Sequence, residues 1–142
     1  SFPNREAVLV NNQISILPRA GFESDLRKNP YISYNCVRLA GEWAVATNGS
    51  QTDPIVEKIA MGFPPRDAIS LGLLAMDYEK DSLDTPRIVA AVSNKRPVGY
   101  LGIIRKDALL VPLHLREEPP LRRPGRDRLR GSVRELRGAV CG

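Results

Sequence analysis

The architecture of this chain can be predicted from one stretch, YISYNCVRLAGEWAVATNGSQTDP, which occupies residues 31–54. Apolar and polar residues alternate over residues 31–39, which predicts a half-buried strand. A turn at Gly41-Glu42 leads into a second strand, Trp43 to Thr47. Asp53-Pro54 then predicts the start of a helix, because aspartate caps free N–H groups and proline fits the first helical position. The stretch therefore joins a hairpin directly to a helix.

The flanking sequence extends this pattern in both directions. Short apolar segments at 7–10 and 13–17 surround Asn11-Asn12, a pair of residues typical of a hairpin turn. The polar segment 21–30 predicts a loop. Downstream we expect a helix ending near Met61, a helix from Pro65 to about Glu79, and strands at 88–92, 99–104 and 108–111. Hairpins followed by helices and then by more strands predict an α+β layered fold.

The positive charge of the chain is concentrated at its end. The net charge is +5, yet residues 1–110 carry 13 basic and 12 acidic side chains, whereas residues 111–142 carry eight arginines, no lysine and four acids. Residues 116–142 have no aromatic side chain, and Arg, Pro, Gly and Glu dominate them. We therefore divide the chain into a domain at 1–111 and an arginine-rich tail at 112–142, which we expect to be disordered or non-native.

Composition disfavours several classes of protein. His114 is the only histidine, and Cys36 and Cys141 are too far apart in sequence for a zinc site or a disulfide framework. We predict no metal site and no cofactor. No apolar run approaches the ~18 residues that span a bilayer, and the polar opening SFPNR does not begin a signal peptide. We therefore expect a cytoplasmic protein with neither a membrane partner nor a specific nucleic-acid partner.

Four short segments carry a resemblance to a known family. They are SFPNR at 1–5, NPYISYNC at 29–36, NGSQTD at 48–53, and LAMDYEKD at 74–81, which runs on to TPR at 85–87. In order and spacing, over residues 1 to about 104, these segments resemble the archaeal-type IMP cyclohydrolase family. The whole set is a specific signal, whereas any one segment alone is a weak one.

The resemblance implies a fold and a reaction. The fold is a four-layer αββα sandwich like that of the N-terminal-nucleophile hydrolases. The substrate is FAICAR, the 5-formamidoimidazole-4-carboxamide ribonucleotide, and the products of this step of purine biosynthesis are IMP and water. A homo-oligomer is compatible with this assignment. The family has a strand-forming segment before the position of Ser1 and further sandwich elements after the last strands, so we expect a domain that is truncated at its N-terminus and incomplete at both ends.

The resemblance also implies three catalytic residues. Arg5 is expected to bind the 5′-phosphate or to stabilise developing negative charge, and Tyr34 to donate a hydrogen bond to the formyl oxygen or to act as an acid. Glu79 is expected to transfer a proton or to orient the carboxamide. Residue type alone allows an ordinary alternative for each: a solvated arginine, a core tyrosine with a satisfied hydroxyl, and an exposed charge at a helix end.

Five further residues are predicted to bind substrate: Asn35, Asn48, Ser50, Thr52 and Arg87. A helix N-terminus attracts anions, so the turn at 48–52 is expected to hold phosphate or ribose, although ordinary turn and cap chemistry explains it equally well. Arg87 is either a second anion contact or a charge at a strand edge. Strand alternation places Tyr34 and Cys36 on one face and Asn35 on the other, unless a bulge intervenes.

Two other functions remain open at this point. An N-terminal-nucleophile amidohydrolase would use Ser1, with its free amine as the base. A nucleic-acid-binding protein would use the arginine-rich tail. For the tail itself we predict a shifted reading frame or a wrongly assigned coding segment from about Pro112, because its arginine-to-lysine ratio is 8 to 0, against 8 to 5 in residues 1–110.

Overall fold

The computed structural model describes residues 4–116, which form one antiparallel sheet with two main helices packed on one face. In chain order the elements are β1 (Arg5–Val10), β2 (Gln13–Pro18), α1 (Asp25–Lys28), a 3₁₀ turn (Pro30–Ile32), β3 (Tyr34–Ala40), β4 (Trp43–Thr47), α2 (Thr52–Ala60), α3 (Pro65–Met76), β5 (Arg87–Ser93), β6 (Val98–Arg105) and β7 (Ala108–Arg116). The sheet order is β1 to β7, so each strand pairs with its neighbour in sequence. The predicted α+β class is confirmed.

The first hairpin forms as its turn residues predict. Asn11 and Asn12 have φ values of 47° and 63°, the left-handed region that asparagine tolerates better than most residues. The turn sets the register of β1 on β2, in which Val10 pairs with Gln13 and Arg5 pairs with Pro18. The hairpin therefore brings Arg5 to the end of β2 that is far from the turn.

The core lies between the sheet and helices α2 and α3. Its fully buried side chains come from both layers and include Val45, Ile55, Ile69, Leu73 and Val89. Glycine allows α2 to approach α3 and α3 to approach β6: a Cβ on Gly72 would lie 2.4 Å from a side-chain carbon of Ile55, and a Cβ on Gly102 would lie 2.7 Å from one of Ile69. A larger residue at either glycine would force the two packed elements apart.

The opposite face of the sheet is apolar but uncovered by the residues that the structure describes. The strand register places Leu9, Leu39, Ile88, Val92 and Leu101 on this face, and these side chains are 40% to 73% exposed. Large contiguous apolar surfaces of this kind are uncommon on soluble domains. The described residues therefore bury only one of the two faces of the sheet.

A bulge between β2 and β3 settles which way the polar residues of β3 point. Ile14 pairs with Val37 and Ser15 pairs with Asn35, so Cys36 is the extra residue. The Asn35 side chain turns toward α2, whereas Tyr34 lies on the uncovered face. Tyr34 and Asn35 therefore occupy opposite faces, as alternation predicts.

Four predictions about these elements are wrong, and each error has an identifiable cause. The strand expected from Tyr31 begins at Tyr34, because the Asn29 side chain accepts a hydrogen bond from the Tyr31 amide and starts the 3₁₀ turn. The loop expected at 21–30 contains the short helix α1. The helix expected to end near Glu79 ends at Met76, because Asp77 leaves the helical region with φ 57° and ψ −177°.

The fourth is the start of α2. The helix begins at Thr52, one residue before the predicted cap. Asp53 makes no capping bond, because its carboxylate instead accepts hydrogen bonds from Asn35 and Arg38 on β3. This contact fastens the first turn of α2 to the sheet.

The last strand crosses the predicted domain boundary at residue 111. Strand β7 continues to Arg116 and pairs with β6 as far as Val98. The register shifts between Leu101 and Ile103, where Val111 and Pro112 of β7 lie opposite the single residue Gly102 of β6. Such a bulge tolerates the missing N–H of proline. Ser1 and residues 117–142, on which the predictions for a terminal nucleophile and an arginine-rich tail depend, lie outside the described residues.

Candidate active site at one edge of the sheet

Strand directions gather the predicted site residues at one edge of the sheet. Because neighbouring strands are antiparallel, β1, β3 and β5 all begin at the edge where β4 ends. Arg5, Tyr34 and Arg87 are the first residues of those three strands, and Asn48 directly follows β4. The edge therefore collects residues that are up to 82 positions apart in the sequence.

A buried ion pair forms the inner part of this edge. The Arg87 side chain is 4% exposed and that of Glu79 is 9% exposed, with 3.2 Å between Arg87 Nη1 and Glu79 Oε1. Arg87 Nη1 also donates to Gln51 Oε1 at 2.8 Å, and Arg87 Nε donates to the Asp77 carbonyl at 2.8 Å. The Tyr31 ring lies 5.9 Å from the guanidinium carbon. Arg87 is therefore held by four groups from three separate segments.

The loop that carries Glu79 is fixed at both ends. Asp77, at its start, has a backbone conformation that only glycine adopts readily, and the Arg87 contact to its carbonyl holds it there. At the other end, Asp81 accepts bonds from the Leu83 amide and from both the amide and hydroxyl of Thr85. The Glu79 amide donates to the Thr85 carbonyl at 2.9 Å. Glu79 is therefore presented on an ordered loop.

Burial dominates the electrostatics of the edge. Removal from water raises the pKa of Glu79 above its ordinary value; Arg87 and Arg5 oppose this rise, and Asp81 adds to it. Burial likewise raises the pKa of Tyr34, with Arg5 opposing and Glu79 adding to the rise. Tyr34 therefore keeps its proton for donation, and Glu79 holds a proton more readily than an exposed glutamate does.

The turn between β4 and α2 closes over the ion pair. A Cβ on Gly49 would lie 2.6 Å from Gln51 Oε1, 2.7 Å from Glu79 Oε1 and 3.0 Å from Arg87 Nη1. These distances leave no room for a side chain, although the backbone of Gly49 is not in the left-handed region. Glycine is therefore required here for space, since the backbone itself must cover the charged groups.

Sequence comparison identifies the family to which the chain belongs. The family described as IMP cyclohydrolase-like protein matches residues 1–120 of the chain. The chain belongs to this family. The match also runs beyond residue 104, where the motif resemblance ends, and beyond the predicted domain boundary at 111.

Curated archaeal relatives carry the name IMP cyclohydrolase. The protein of Methanocella arvoryzae is 62% identical over 112 residues, which cover 78% of this chain and 54% of that protein. The protein of Halobacterium salinarum is 52% identical over 121 residues, covering 85% of this chain and 60% of the relative. The protein of Methanosphaera stadtmanae is 49% identical over 111 residues, covering 78% and 54%. The chain thus spans somewhat more than half the length of these relatives.

Within this IMP cyclohydrolase-like chain, the structure brings together some predicted site residues and separates others. Arg5, Tyr34 and Glu79 share the edge, and Arg87 lies beneath it. Glu79 is not the exposed charge at a helix end that its residue type allowed, because the loop after α3 buries it. Arg87 is almost fully buried and contacts the Asp77 carbonyl, Gln51 and Glu79, so it anchors Glu79 and its loop.

The residues of the turn mostly bond to one another. Asn48 Nδ2 donates to the Pro86 carbonyl, and its Oδ1 accepts from the Ile88 amide and from Gln51 Nε2. The Thr52 hydroxyl is fully buried and contacts Thr47 Oγ1 and the Gly49 carbonyl. Both residues shape the turn. Ser50 is half-buried in the same turn, where a hydroxyl can still meet a ligand.

Asn35 belongs to a different polar cluster on the helix side of the sheet. Its Oδ1 accepts from Ser15 Oγ at 2.7 Å and from Gln13 Nε2 at 3.1 Å, and its Nδ2 donates to both Asp53 oxygens. Arg38 completes this cluster with a 2.8 Å ion pair to Asp53. The structure therefore separates Asn35 from the edge that holds Tyr34 and Glu79.

Sequence reasoning missed Gln51, which is fully buried and contacts Arg87 directly. Its position inside the matching segment NGSQTD was the available signal, but a glutamine in a turn carries no chemistry of its own that would draw attention. Within residues 4–116, no cluster of three or more His, Cys, Asp or Glu is placed to hold a metal ion. No helix among these residues is long and apolar enough to cross a membrane.

Proposed function

We propose that the complete protein is an IMP cyclohydrolase that closes FAICAR to IMP with loss of water, in the cytoplasm and without a cofactor. The observation that carries this proposal is the edge of the sheet, where Glu79 is buried against Arg87 and its charge interacts with those of Tyr34 and Arg5. The names of the archaeal relatives support the same reaction. Perturbed titratable groups gathered in this way are typical of active sites.

Ring closure requires proton transfer and stabilisation of developing charge, which Glu79, Tyr34 and Arg5 can provide. The carboxamide nitrogen, a poor nucleophile, attacks the formyl carbon of the same molecule, and a C–N bond forms. Two protons leave the carboxamide and formamido nitrogens, and the formyl oxygen departs with them as water. We assign Glu79 to accept and return a proton, and Tyr34 to donate a hydrogen bond to the formyl oxygen. Arg5 stabilises the negative charge that develops on that oxygen or binds the 5′-phosphate.

The uncovered sheet face supports a four-layer αββα sandwich for the complete protein. Leu9, Leu39, Ile88, Val92 and Leu101 form an apolar surface opposite α2 and α3. Since an apolar sheet face must be covered, we propose that a second sheet packs on it. The curated relatives are long enough to supply that sheet, because this chain spans only 54% to 60% of their lengths. In this arrangement Tyr34 would lie between the two sheets.

An assay of ring closure tests the proposed function. The complete protein encoded at this locus is incubated with FAICAR, and IMP is quantified by chromatography. We expect turnover by the wild type and a loss of about 10²–10⁴-fold in kcat for Tyr34→Phe, which removes one hydroxyl and keeps the ring. A folded wild-type protein that forms no IMP would overturn the function. A Tyr34→Phe rate equal to the wild-type rate would remove Tyr34 from the mechanism.

A further inference from the structure

Gln51 occupies an unusual position for an uncharged side chain, since it is fully buried against the Arg87–Glu79 ion pair, which is itself almost fully buried. Its Oε1 accepts from Arg87 Nη1 at 2.8 Å, the same nitrogen that donates to Glu79 at 3.2 Å. Arg87 Nη1 carries two N–H bonds, so it donates to both acceptors at once, one neutral and one charged. The shorter of the two bonds is made to the neutral glutamine.

The orientation of the Gln51 amide is fully determined by its neighbours. Its Nε2 donates to Asn48 Oδ1 at 2.9 Å and to the Ile88 carbonyl at 3.2 Å. Both of these partners are acceptors toward Gln51, so a flipped amide would place an oxygen against two oxygens and an NH₂ group against a guanidinium. Asn48 is in turn held by the Pro86 carbonyl and the Ile88 amide. The acceptor that faces Arg87 is therefore rigid.

We propose that Gln51 is a positioning residue that sets how much of the Arg87 positive charge reaches Glu79. Gln51 holds Arg87 Nη1 from the α2 side, while Glu79 approaches the same nitrogen from the loop side. The guanidinium is thus shared between a fixed neutral acceptor and the carboxylate that we assign to proton transfer. The inference rests on the proposed function for its effect on turnover, but its structural part concerns Glu79 alone.

The other charged and titratable groups that act on Glu79 come from three strands and from its own loop. Arg87 on β5 and Arg5 on β1 favour its charged form, whereas Asp81 on its own loop disfavours that form. Tyr34 on β3 is coupled to it as well. Of these groups, Arg87 is the one that Gln51 contacts. A change at residue 51 therefore acts on Glu79 through Arg87. Its effect on the Glu79 titration can be separated from the effects of Arg5, Asp81 and Tyr34.

Two substitutions of similar size shift Glu79 in opposite directions if Gln51 acts in this way. Gln51→Met removes the partly negative amide oxygen from beside the guanidinium, so the Arg87 charge acts on Glu79 alone and the carboxylate form is favoured. Gln51→Glu adds a second carboxylate to the same guanidinium, so the protonated form of Glu79 is favoured. A merely structural role for Gln51 would shift the titration in the same direction for both variants or leave it unchanged. Ile59→Val, which trims the core side of the same helix, is the control for general loss of stability.

The experiment is a pH titration of the Glu79 carboxyl by ¹³C NMR on the complete protein, with the signal assigned by its absence in Glu79→Gln. We expect the midpoint to fall in Gln51→Met, to rise in Gln51→Glu, and to stay at the wild-type value in Ile59→Val. The kcat–pH profile for FAICAR should move in the same two directions, with kcat lower by about tenfold or more and KM changed less. Midpoints that move together, or that move no further than in Ile59→Val, would overturn the proposal.

The titration does not depend on turnover, so the two levels of inference fail separately. If the wild type forms no IMP while the midpoints of the Gln51 variants still diverge, the proposed function falls and the positioning role stands. If IMP forms normally while the midpoints coincide, the function stands and Gln51 has no positioning role. Should Gln51→Glu fail to fold, a midpoint in Gln51→Met that is not lower than wild type is sufficient to overturn the proposal.

Discussion

Two arginine–carboxylate pairs lie on either side of the start of α2, and they differ in an instructive way. Arg38 and Asp53 approach to 2.8 Å, with side chains 27% and 42% exposed. Arg87 and Glu79 approach only to 3.2 Å, yet their side chains are 4% and 9% exposed. The shorter bond thus belongs to the more exposed pair. Contact distance alone would rank the two pairs in the wrong order of importance.

Burial decides what each pair contributes. An exposed pair is screened by water and typically stabilises a protein by at most about 1 kcal/mol. Burying two charges carries a desolvation penalty of several kcal/mol per ion, which the mutual attraction offsets only in part. The Arg38–Asp53 pair fastens α2 to β3, a structural task. A buried ion pair is an inefficient way to stabilise a fold. We therefore interpret the Arg87–Glu79 pair as serving the proposed catalytic role of Glu79.

The largest expected effect comes from removing one arginine of each pair. Arg87→Met leaves Glu79 buried without its partner and frees the Asp77 carbonyl, so it should lower the free energy of unfolding by about 3–5 kcal/mol. Arg38→Met leaves Asp53 half-exposed and still bonded to Asn35, so it should cost no more than about 1 kcal/mol. Urea unfolding of both variants measures the difference. Equal losses would show that the two pairs are equivalent.

A smaller loss of stability is expected when Gly49, which packs over the buried ion pair, is replaced. Gly49→Ala places a methyl group against Gln51, Glu79 and Arg87 at 2.6 to 3.0 Å, so these groups must move apart, at a cost of about 1–3 kcal/mol. Ser50→Ala in the same turn is the matched control, and its stability should stay within about 0.5 kcal/mol of the wild type. Thermal unfolding compares them. An alanine at 49 as stable as the one at 50 would contradict the close packing.

The smallest effect concerns the pH dependence of stability. The pKa of Glu79 is raised in the folded state, so the folded protein binds this proton more tightly than the unfolded chain does. The free energy of unfolding should therefore fall as the pH rises from about 4.3, the ordinary glutamate value, through the folded pKa. Glu79→Gln should lose this part of the dependence. Urea unfolding between pH 4 and about 8 checks it, and identical slopes for both proteins would rule it out.

Local sequence signals predicted the elements of this fold well. The Asn11-Asn12 turn, the strand Trp43–Thr47 and the helix starting at Pro65 follow from turn chemistry, alternation and proline placement, all of which act over a few residues. The predicted boundaries that were wrong depend on contacts between residues distant in the sequence, or on side chains that form hydrogen bonds other than the expected ones. Asp53 is a good cap by residue type, but Arg38 and Asn35 on β3 take its carboxylate.

The candidate site was only partly predictable. The family resemblance pointed to Arg5, Tyr34 and Glu79, and strand direction explains why these residues meet. The burial of Glu79 and its bond to Arg87 depend on the path of the loop after Met76, which no short-range pattern encodes. Gln51 was missed for the same reason, because its importance comes from Arg87, 36 residues away.

The central claim is that the buried pair serves catalysis whereas the exposed pair serves structure, and one measurement tests it most directly. The kcat for conversion of FAICAR to IMP is determined for the complete wild-type protein, for Glu79→Gln and for Arg38→Met, with folding of each verified by circular dichroism. We expect Glu79→Gln to lower kcat by about 10²–10⁴-fold and Arg38→Met to remain within about threefold of the wild type. A Glu79→Gln enzyme as active as Arg38→Met would contradict the account.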